Sequence, residues 1–442
     1  MSPLFVSRIV LQIKRYPDRE PCSTLSAMRN LPLISASIIA AIVLLPAASA
    51  GARQGQPATR PSSDQAVQSE VTGNVLRPAP VEATDERIAS LNVPEGFTIS
   101  VFARDLEKPR WFAVAGDGSV YVTSREAGTV VRLRDTDGDG SADENQTVLR
   151  DKPGIHGIWI DQEERQVFLV DIHDVYRAPL EEGGGFGELE TIVSGLPDAG
   201  QHPNRTLAIG PDRKLYISVG SLSNSATERD ERAATMVRCE LDGSGMEIFA
   251  KGLRNTIGFG WHPRTREMWG MDHGIDWLGD DKPEEELNRL EEGKHYGHPW
   301  VWNDGNVNED KAQDPPEGYQ SVEAFAREVA QPALTYTAHA SPLQMAFYTG
   351  DAFPAEFRGD AFVAMRGSWN RRPPSGYEVV RIDFDDQGQP RSIEPFIGRW
   401  VSEDGAEHFG RLCGMAMLPD GSLLVGDDTN GVIYRVTHGA GR

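Results

Sequence analysis

Within the stretch Gly252 to Gly274, GLRNTIGFGWHPRTREMWGMDHG, two polar clusters flank an apolar run. Arg254-Asn255 lies before it and Asp272-His273-Gly274 after it. If the run between them is a strand, a turn and a second strand paired antiparallel, both clusters emerge at one edge of a sheet. A second group of residues fit for chemistry is Asp135-Thr-Asp137-Gly-Asp139-Gly-Ser141-Ala-Asp143. Carboxylates at alternate positions with a glycine at the sixth match the first half of a calcium loop, but the twelfth position holds Gln146 where the bidentate glutamate belongs. That loop reads either as a peripheral Ca2+ site or as a solvated acidic hairpin.

A repeat would position these clusters. A short apolar strand recurs as SVYVT, QVFLV, KLYIS, EMWGM, DAFVA and SLLVG, starting at residues 119, 166, 214, 267, 360 and 422, with the last two gaps lengthened by insertions. The strand after it carries an arginine each time, in VVRL, VYRA, MVRC, LNRL, VVRI and IYRV: Arg132, Arg177, Arg238, Arg289, Arg381 and Arg435. Turns such as Gly116-Asp117-Gly118 and Pro419-Asp420-Gly421 lead into the recurring strand. Fourth strands read TVL, TIV, EIFA, LTYTA and EPFI, and FTISVFA at residues 97–103 supplies the missing sixth. The sequence therefore predicts an all-β fold over residues 93–438: a six-bladed β-propeller of four-stranded antiparallel blades, closed by an N-terminal strand. The insertion between Glu284 and Thr335 reads as an excursion from blade four.

In such a ring, the loops entering each blade and the loops between second and third strands open on one end. The first set contains Arg110, His156, His202, Arg205, Arg254, Asn255, His339 and Arg411. The second contains Arg125, Asp171, His173, Asp272, His273, Arg366, Asp427 and Asp428. Any one histidine here could be a structural hydrogen-bonder, but cationic groups converging on an apolar-walled opening predict an anionic ligand.

Composition narrows the partners. The 442 residues include 66 acidic and 44 basic side chains, a net charge of −22, which argues against a nucleic-acid or anionic-membrane partner. Residues 1–50 read as an upstream extension and a secretory signal, with Arg29 before the apolar run Ile34 to Pro46 and Ala48-Ser49-Ala50 as a small-residue cleavage site. Residues 51–92, rich in Gln, Pro, Ser, Thr and Ala, read as a flexible linker. A periplasmic or secreted location follows, with no membrane span in the mature chain. Cys22 lies in the removable region, so Cys239 and Cys413 would remain, as a pair or as isolated buried thiols. There is no CxxCH haem site, so any electron acceptor is another molecule.

The runs HPNRTLAIGPDRKLYISVGS (202–221), GLRNTIGFGWHPRTREMWGMDHGIDWLGDDKPEEELN (252–288), YGHPW (296–300) and RGSWNRRPPSGYEVVRI (366–382) resemble the glucose/sorbosone dehydrogenase family, in particular its sorbosone-dehydrogenase-like branch. The resemblance spans about Pro94 to Val436. It implies an exported six-bladed propeller that uses pyrroloquinoline quinone (PQQ) and Ca2+ to oxidise an aldose, aldosone or related sugar, with hydride passing to the quinone. By position in the HxxxxLxIGPD run, the resemblance makes His202 the base that takes the sugar hydroxyl proton. It places Arg254 and Asn255 on the quinone, with Arg254 polarising its carbonyl, and the backbone carbonyls of Gly274 and Ile275 on the active-site calcium. Arg411 and Arg366 match cationic positions that bind quinone carboxylates, and His339 and Arg371 fit the sorbosone branch. Two departures stand out. Cys413 occupies the place of a second arginine of the soluble glucose dehydrogenases, and His273-Gly274-Ile275 replaces their Gln-Gly-Pro. The external electron acceptor would be a small cytochrome or a membrane quinone. Competing readings are a Ca2+-dependent lactonase on the same fold and a sugar- or partner-binding propeller without catalysis.

Overall fold

A strand that is apolar at consecutive positions must be covered on both faces. The recurring second strands meet that condition: Val120–Ser124, Leu215–Val219, Met268–Asp272, Ala361–Met365 and Leu423–Asp427 are buried along their whole length. The computed structural model describes residues 73–197 and 200–439. The expected upstream extension, secretory signal and first part of the linker lie outside the described residues.

Six four-stranded antiparallel sheets form the blades of a propeller. Their innermost strands are Phe112–Val114, Gly157–Asp161, Thr206–Ile209, Phe259–Trp261, Pro342–Phe347 and Leu412–Met417, and each is followed by the apolar second strand and the arginine-bearing third. The sixth sheet is completed by Phe97–Ala103, which pairs antiparallel with Val432–His438, so the first propeller strand and the last share a blade. This is the closure expected from the missing sixth fourth strand.

Side chains alternate across each sheet, so one strand feeds two junctions. Val167 and Leu169 pack toward blade one with Tyr121 and Val130, whereas Phe168 and Val170 pack toward blade three with Leu207 and Ile217. Of the third-strand arginines, seen in the sequence only as a repeat marker, Arg289, Arg381 and Arg435 bond acids of their own blades, and the other three stitch blades together. Arg132 donates to the Gly183 carbonyl, Arg177 to the Leu241 carbonyl and Arg238 to Glu292, each on the following blade.

Two regions differ from expectation or extend it. The linker reading fails for its last part, because residues 73–92 are fastened to the propeller. Ala79–Pro80 pairs in parallel with Glu407–His408, Asn74 donates to Asp280, and Thr84 caps the helix Asp85–Ala89. Ala83, Ile88 and Leu91 bury themselves in the core between blades five and six. Of the expected insertion between Glu284 and Thr335, Glu285–Leu290 is instead the third strand of blade four, and the excursion begins after it, with the hairpin Val301–Trp302/Asn306–Val307 and the helix Val322–Ala326 around a small core of its own. Cys239 and Cys413 are both free and buried, so they do not pair.

Candidate active site

The entry loop of each blade is bound to its own second strand or the loop that follows it, which sets both loop families at one end of the ring. Arg110 N bonds Thr123 O, His156 N bonds Val170 O, Arg366 N bonds Ser341 O, and Asp428 N bonds Arg411 O. Blades four and six share a further device. Asp272 accepts from the amides of Arg254 and Asn255 at 2.8 Å and from the Thr256 hydroxyl at 2.7 Å. Asp427 likewise accepts from the amide of Arg411 at 2.8 Å. Both carboxylates fix backbone, and burial raises them to about 6 for Asp272 and about 7 for Asp427.

In the half built by blades three and four, the His202 ring and the Arg254 guanidinium are each held by several partners. His202 Nδ1 lies 2.8 Å from both the carbonyl and the hydroxyl oxygen of Ser221, and that hydroxyl gives its own proton to Ser223 O. Nδ1 must therefore carry the hydrogen, which leaves the lone pair on Nε2. Burial, reinforced by the Arg254 charge, holds the ring well below the usual imidazole range and hence neutral. The Arg254 guanidinium donates to Asn224 O at 2.9 Å and Asn224 Oδ1 at 2.8 Å, and it pairs with Asp276 at 3.1 Å. Its Nη1 has no partner among the described residues. Asn255 Nδ2 lies 3.4 Å from His273 Nδ1, and His273 Nε2 donates to Pro342 O at 2.5 Å. The Gly274 amide is held by Glu285 at 2.9 Å, and no hydrogen bond among the described residues ends on the carbonyls of Gly274 or Ile275. Two adjacent unpaired carbonyl oxygens beside buried acids suit a hard cation.

The half built by blades five, six and one has cations in excess. Asp428 binds Arg110 at 2.6 Å and also Arg366, and their charges hold it below the usual carboxylate range against the cost of burial. Arg411 reaches the Gly367 carbonyl at 2.7 Å but its Nε is buried without a partner, as is Nε of Arg125. Burial and the neighbouring Arg366 charge push Arg411 down from the usual guanidinium range. Four guanidinium groups around one ionised carboxylate form a site short of negative charge. Cys413 lies beneath them as a buried thiol donating to Pro109 O at 3.0 Å.

The structure thus brings His202, Arg254, Asn255, Gly274, Ile275, Arg366 and Arg411 to one mouth. It places His339 and Arg371 elsewhere in role. His339 donates to Gly279 O at 2.8 Å and faces Asn370 at 3.2 Å, while Arg371 binds Asp280 O and Asp281, both at 2.9 Å. Together they tie the loop after Ile275 to blade five. Asp171 caps its own turn and Tyr176. In the acidic loop, carboxylate oxygens of Asp135, Asp137 and Asp143 lie within 4.8 Å of one another, and Asp139 stands outside that group. The loop lies beside Phe102 and Val101, away from the mouth.

Sequence reasoning passed over Asn224, which orients Arg254, because it lies in a loop without a motif. It also passed over His298, inside the quoted run YGHPW, whose buried Nε2 has no partner and which lines a crevice of about 20 Å3 beside Arg254 and Gly274.

The propeller matches the TrAA12-like family over residues 91–439. The chain is 28% identical over 373 residues to an uncharacterised protein of Borreliella burgdorferi, across 80% of this chain and 92% of that one. It is 23% identical over 364 residues to a pyrroloquinoline quinone-dependent sugar dehydrogenase of Hypocrea jecorina, across 72% and 78% of the two chains. The holo form of the pyranose dehydrogenase PQQ domain of Coprinopsis cinerea shares the fold, with a TM-score of 0.69 at 21% identity over 82% of this chain and 98% of that domain. Since the match covers every blade and the mouth between them, the chain belongs to the TrAA12-like family.

Proposed function

We propose that this protein is a quinoprotein sugar dehydrogenase, dependent on PQQ and Ca2+, that oxidises an aldose, aldosone or related sugar and works after export to the periplasm or beyond. The observation that carries the reading is the surplus of guanidinium groups at the mouth, with Nε of Arg125 and Arg411 buried and unpartnered. A flat quinone bearing several carboxylates fits that surplus, and the Hypocrea jecorina relative is named for the same cofactor. Arg366 and Arg411, with Arg110 and Arg125 beside them, would hold its carboxylates. Arg254 through Nη1, and Asn255, would hold its carbonyl edge, and the Gly274 and Ile275 carbonyls would hold calcium. When bound, the quinone supplies a two-electron acceptor and the calcium a Lewis acid, chemistry that no side chain here possesses.

The chain's own part is positional and acid–base. His202 presents Nε2 as a neutral base toward a sugar hydroxyl, and its Nδ1–H stays on Ser221, which fixes both tautomer and ring plane. Asn224 and Asp276 keep Arg254 from swinging, so its free Nη1 is aimed before any ligand arrives. A lactonase would need carboxylates free to surround a metal, whereas Asp272, Asp427 and Asp428 are all committed to backbone amides or arginines.

Incubating the purified protein with PQQ and CaCl2 and recording its absorption spectrum tests the cofactor. Sugar-dependent reduction of an artificial dye, across a panel of aldoses and aldosones, tests the reaction. A spectrum that remains that of free PQQ overturns the cofactor assignment. Bound quinone with no sugar oxidised across the panel overturns the redox role.

A further inference from the structure

The innermost strands ring a second space, at the end of the axis away from the mouth. It is a cavity of about 590 Å3 whose wall includes residues of all six innermost strands, with Gly210 and Pro211 of a first-to-second-strand turn at its edge. Its size falls in the range that small-molecule sites occupy, roughly 300–1,000 Å3. No residue lining it is charged, in a chain whose residues are 25% charged. Its two amide side chains are already committed. Gln162 binds the Gly116 amide and the Val114 carbonyl, and Gln344 binds Phe112 and the Met415 amide. The polar groups left on the wall are backbone N–H and C=O groups on the free edges of the innermost strands, which no further strand pairs; these suit a neutral ligand with carbonyl or hydroxyl groups, and no charged side chain is there to hold an ion.

What the wall offers is aromatic surface, from Trp111, Phe112, Trp159, Trp261 and Phe347. Trp159, at 37% exposure, is one of two large apolar side chains left exposed among the described residues. Trp111 follows Arg110 in sequence, and its ring lies 5.6 Å from that of His156 at the mouth. The inner wall of the cavity is thus a single side-chain layer from the arginine cluster.

We propose that this axial cavity binds an uncharged, flat quinone ring, and that a benzoquinone held there is the external electron acceptor. The acceptor role rests on the sugar-oxidising function proposed above. Oxidation of a sugar C–OH to C=O breaks one C–H and one O–H bond and releases two electrons and two protons. The same two electrons and two protons convert both carbonyls of a benzoquinone to hydroxyls, so the exchange needs no further reagent.

The test separates binding from turnover. Binding of 2,3-dimethoxy-5-methyl-1,4-benzoquinone to the cofactor-free protein is followed by quenching of tryptophan fluorescence, which should saturate. Gly260 lines the cavity, and a Cβ built there meets only the Phe347 ring, at 3.5 Å, so Gly260→Phe fills the space from a strand position that accepts a side chain. That variant should abolish saturable quenching, and Trp159→Ala should weaken it about five- to tenfold, as loss of an aromatic contact does. If Gly260→Phe does not fold, Trp159→Ala decides, since its ring is already exposed. With PQQ and calcium restored, Gly260→Phe should lose benzoquinone-linked sugar oxidation while dye-linked oxidation stays unchanged. Quenching that does not saturate, or is equal in both variants and the parent, overturns the site. Saturable quenching with benzoquinone-linked turnover unaffected by Gly260→Phe overturns the acceptor role. Failure of the parent to oxidise any sugar with dye counts against the proposed function alone, because the quenching is measured without cofactor.

Discussion

In blade four the amide of Arg254 is held by Asp272, and in blade six the amide of Arg411 is held by Asp427, both at 2.8 Å. One carboxylate device therefore sets two arginines at the same mouth, and beyond the backbone the two diverge. The Arg254 guanidinium makes two hydrogen bonds to Asn224 and an ion pair with Asp276. The Arg411 guanidinium makes one, to Gly367 O, and sits among Arg110, Arg125 and Arg366 with its Nε unpartnered. A group fully held before its ligand arrives has nothing to reorganise during reaction, which suits a residue that acts on reacting atoms. A group left short of acceptors gains most from an anion, which suits a residue that binds. The propeller repeat fixes where each arginine starts, and its neighbours determine which kind it is.

The preassembled half is broken most severely at His202. Replacing it with alanine removes a neutral imidazole whose Nε2 lone pair is engaged by no group among the described residues, unlike that of His273, which faces Asn255, and turnover should fall about 10²- to 10⁴-fold, the usual loss for a general base. Titration with PQQ should give the parent affinity, because the guanidinium groups are untouched. Equal losses in affinity and turnover would make His202 a cofactor ligand instead.

The unsatisfied half is tested by Arg411→Ala, which should weaken PQQ binding by about 10- to 100-fold, the loss of one or two charge-assisted hydrogen bonds. Arg254→Ala should do the reverse and lower turnover more than affinity. Similar affinity losses in both variants would erase the distinction between the two halves.

The fold was legible because the repeat is written at two levels. Consecutive apolar residues mark strands buried on both faces, and an arginine at constant phase marks the strand that follows, so six units could be aligned despite the long insertion after Leu290. What sequence could not carry was partnership. His339 and Arg371 lie near the mouth by their place in the repeat, but Gly279, Asp280 and Asp281 reach them first from the adjoining loop, and burial holds the His339 ring below the usual imidazole range. Asn224 stands in a loop with no motif, and only folding brings it under Arg254. The end of the supposed linker did leave a trace. Thr84 followed by Asp85-Glu86, with Ile88 and Leu91 three apart, is a helix start with an apolar face, outweighed by its proline-rich surroundings.

The buried carboxylate under Arg411 gives the comparison a pH dependence. An aspartate with an unfolded pKa near 3.9 that reaches about 7 in the fold binds more protons folded than unfolded between those values. Its contribution is complete below the unfolded value and is lost as pH rises toward 7, by up to about 1.4 kcal/mol per pH unit. Asp427→Asn keeps an acceptor for the Arg411 amide and removes the titration. The melting temperature of the variant should fall less steeply than that of the parent between pH 4 and 7. Identical slopes would mean that Asp427 is ionised in the folded protein.

The smallest effect is expected at Arg371, and it discriminates between position and resemblance. As a cation for the quinone, its loss should weaken PQQ binding on the scale of Arg411. As the structure places it, the guanidinium holds the Asp280 and Pro373 carbonyls and pairs with Asp281, a residue 86% exposed. An exposed ion pair contributes at most about 1 kcal/mol and each neutral-acceptor bond about the same, so Arg371→Ala should cost roughly 1–2 kcal/mol of stability. The loop it releases carries Asp276, which pairs with Arg254, so any kinetic change should appear in the KM for sugar and in turnover while PQQ affinity stays at the parent value. An Arg371→Ala variant that melts like the parent but binds PQQ ten times more weakly would return Arg371 to the cofactor and enlarge the unsatisfied half of the mouth by one guanidinium group.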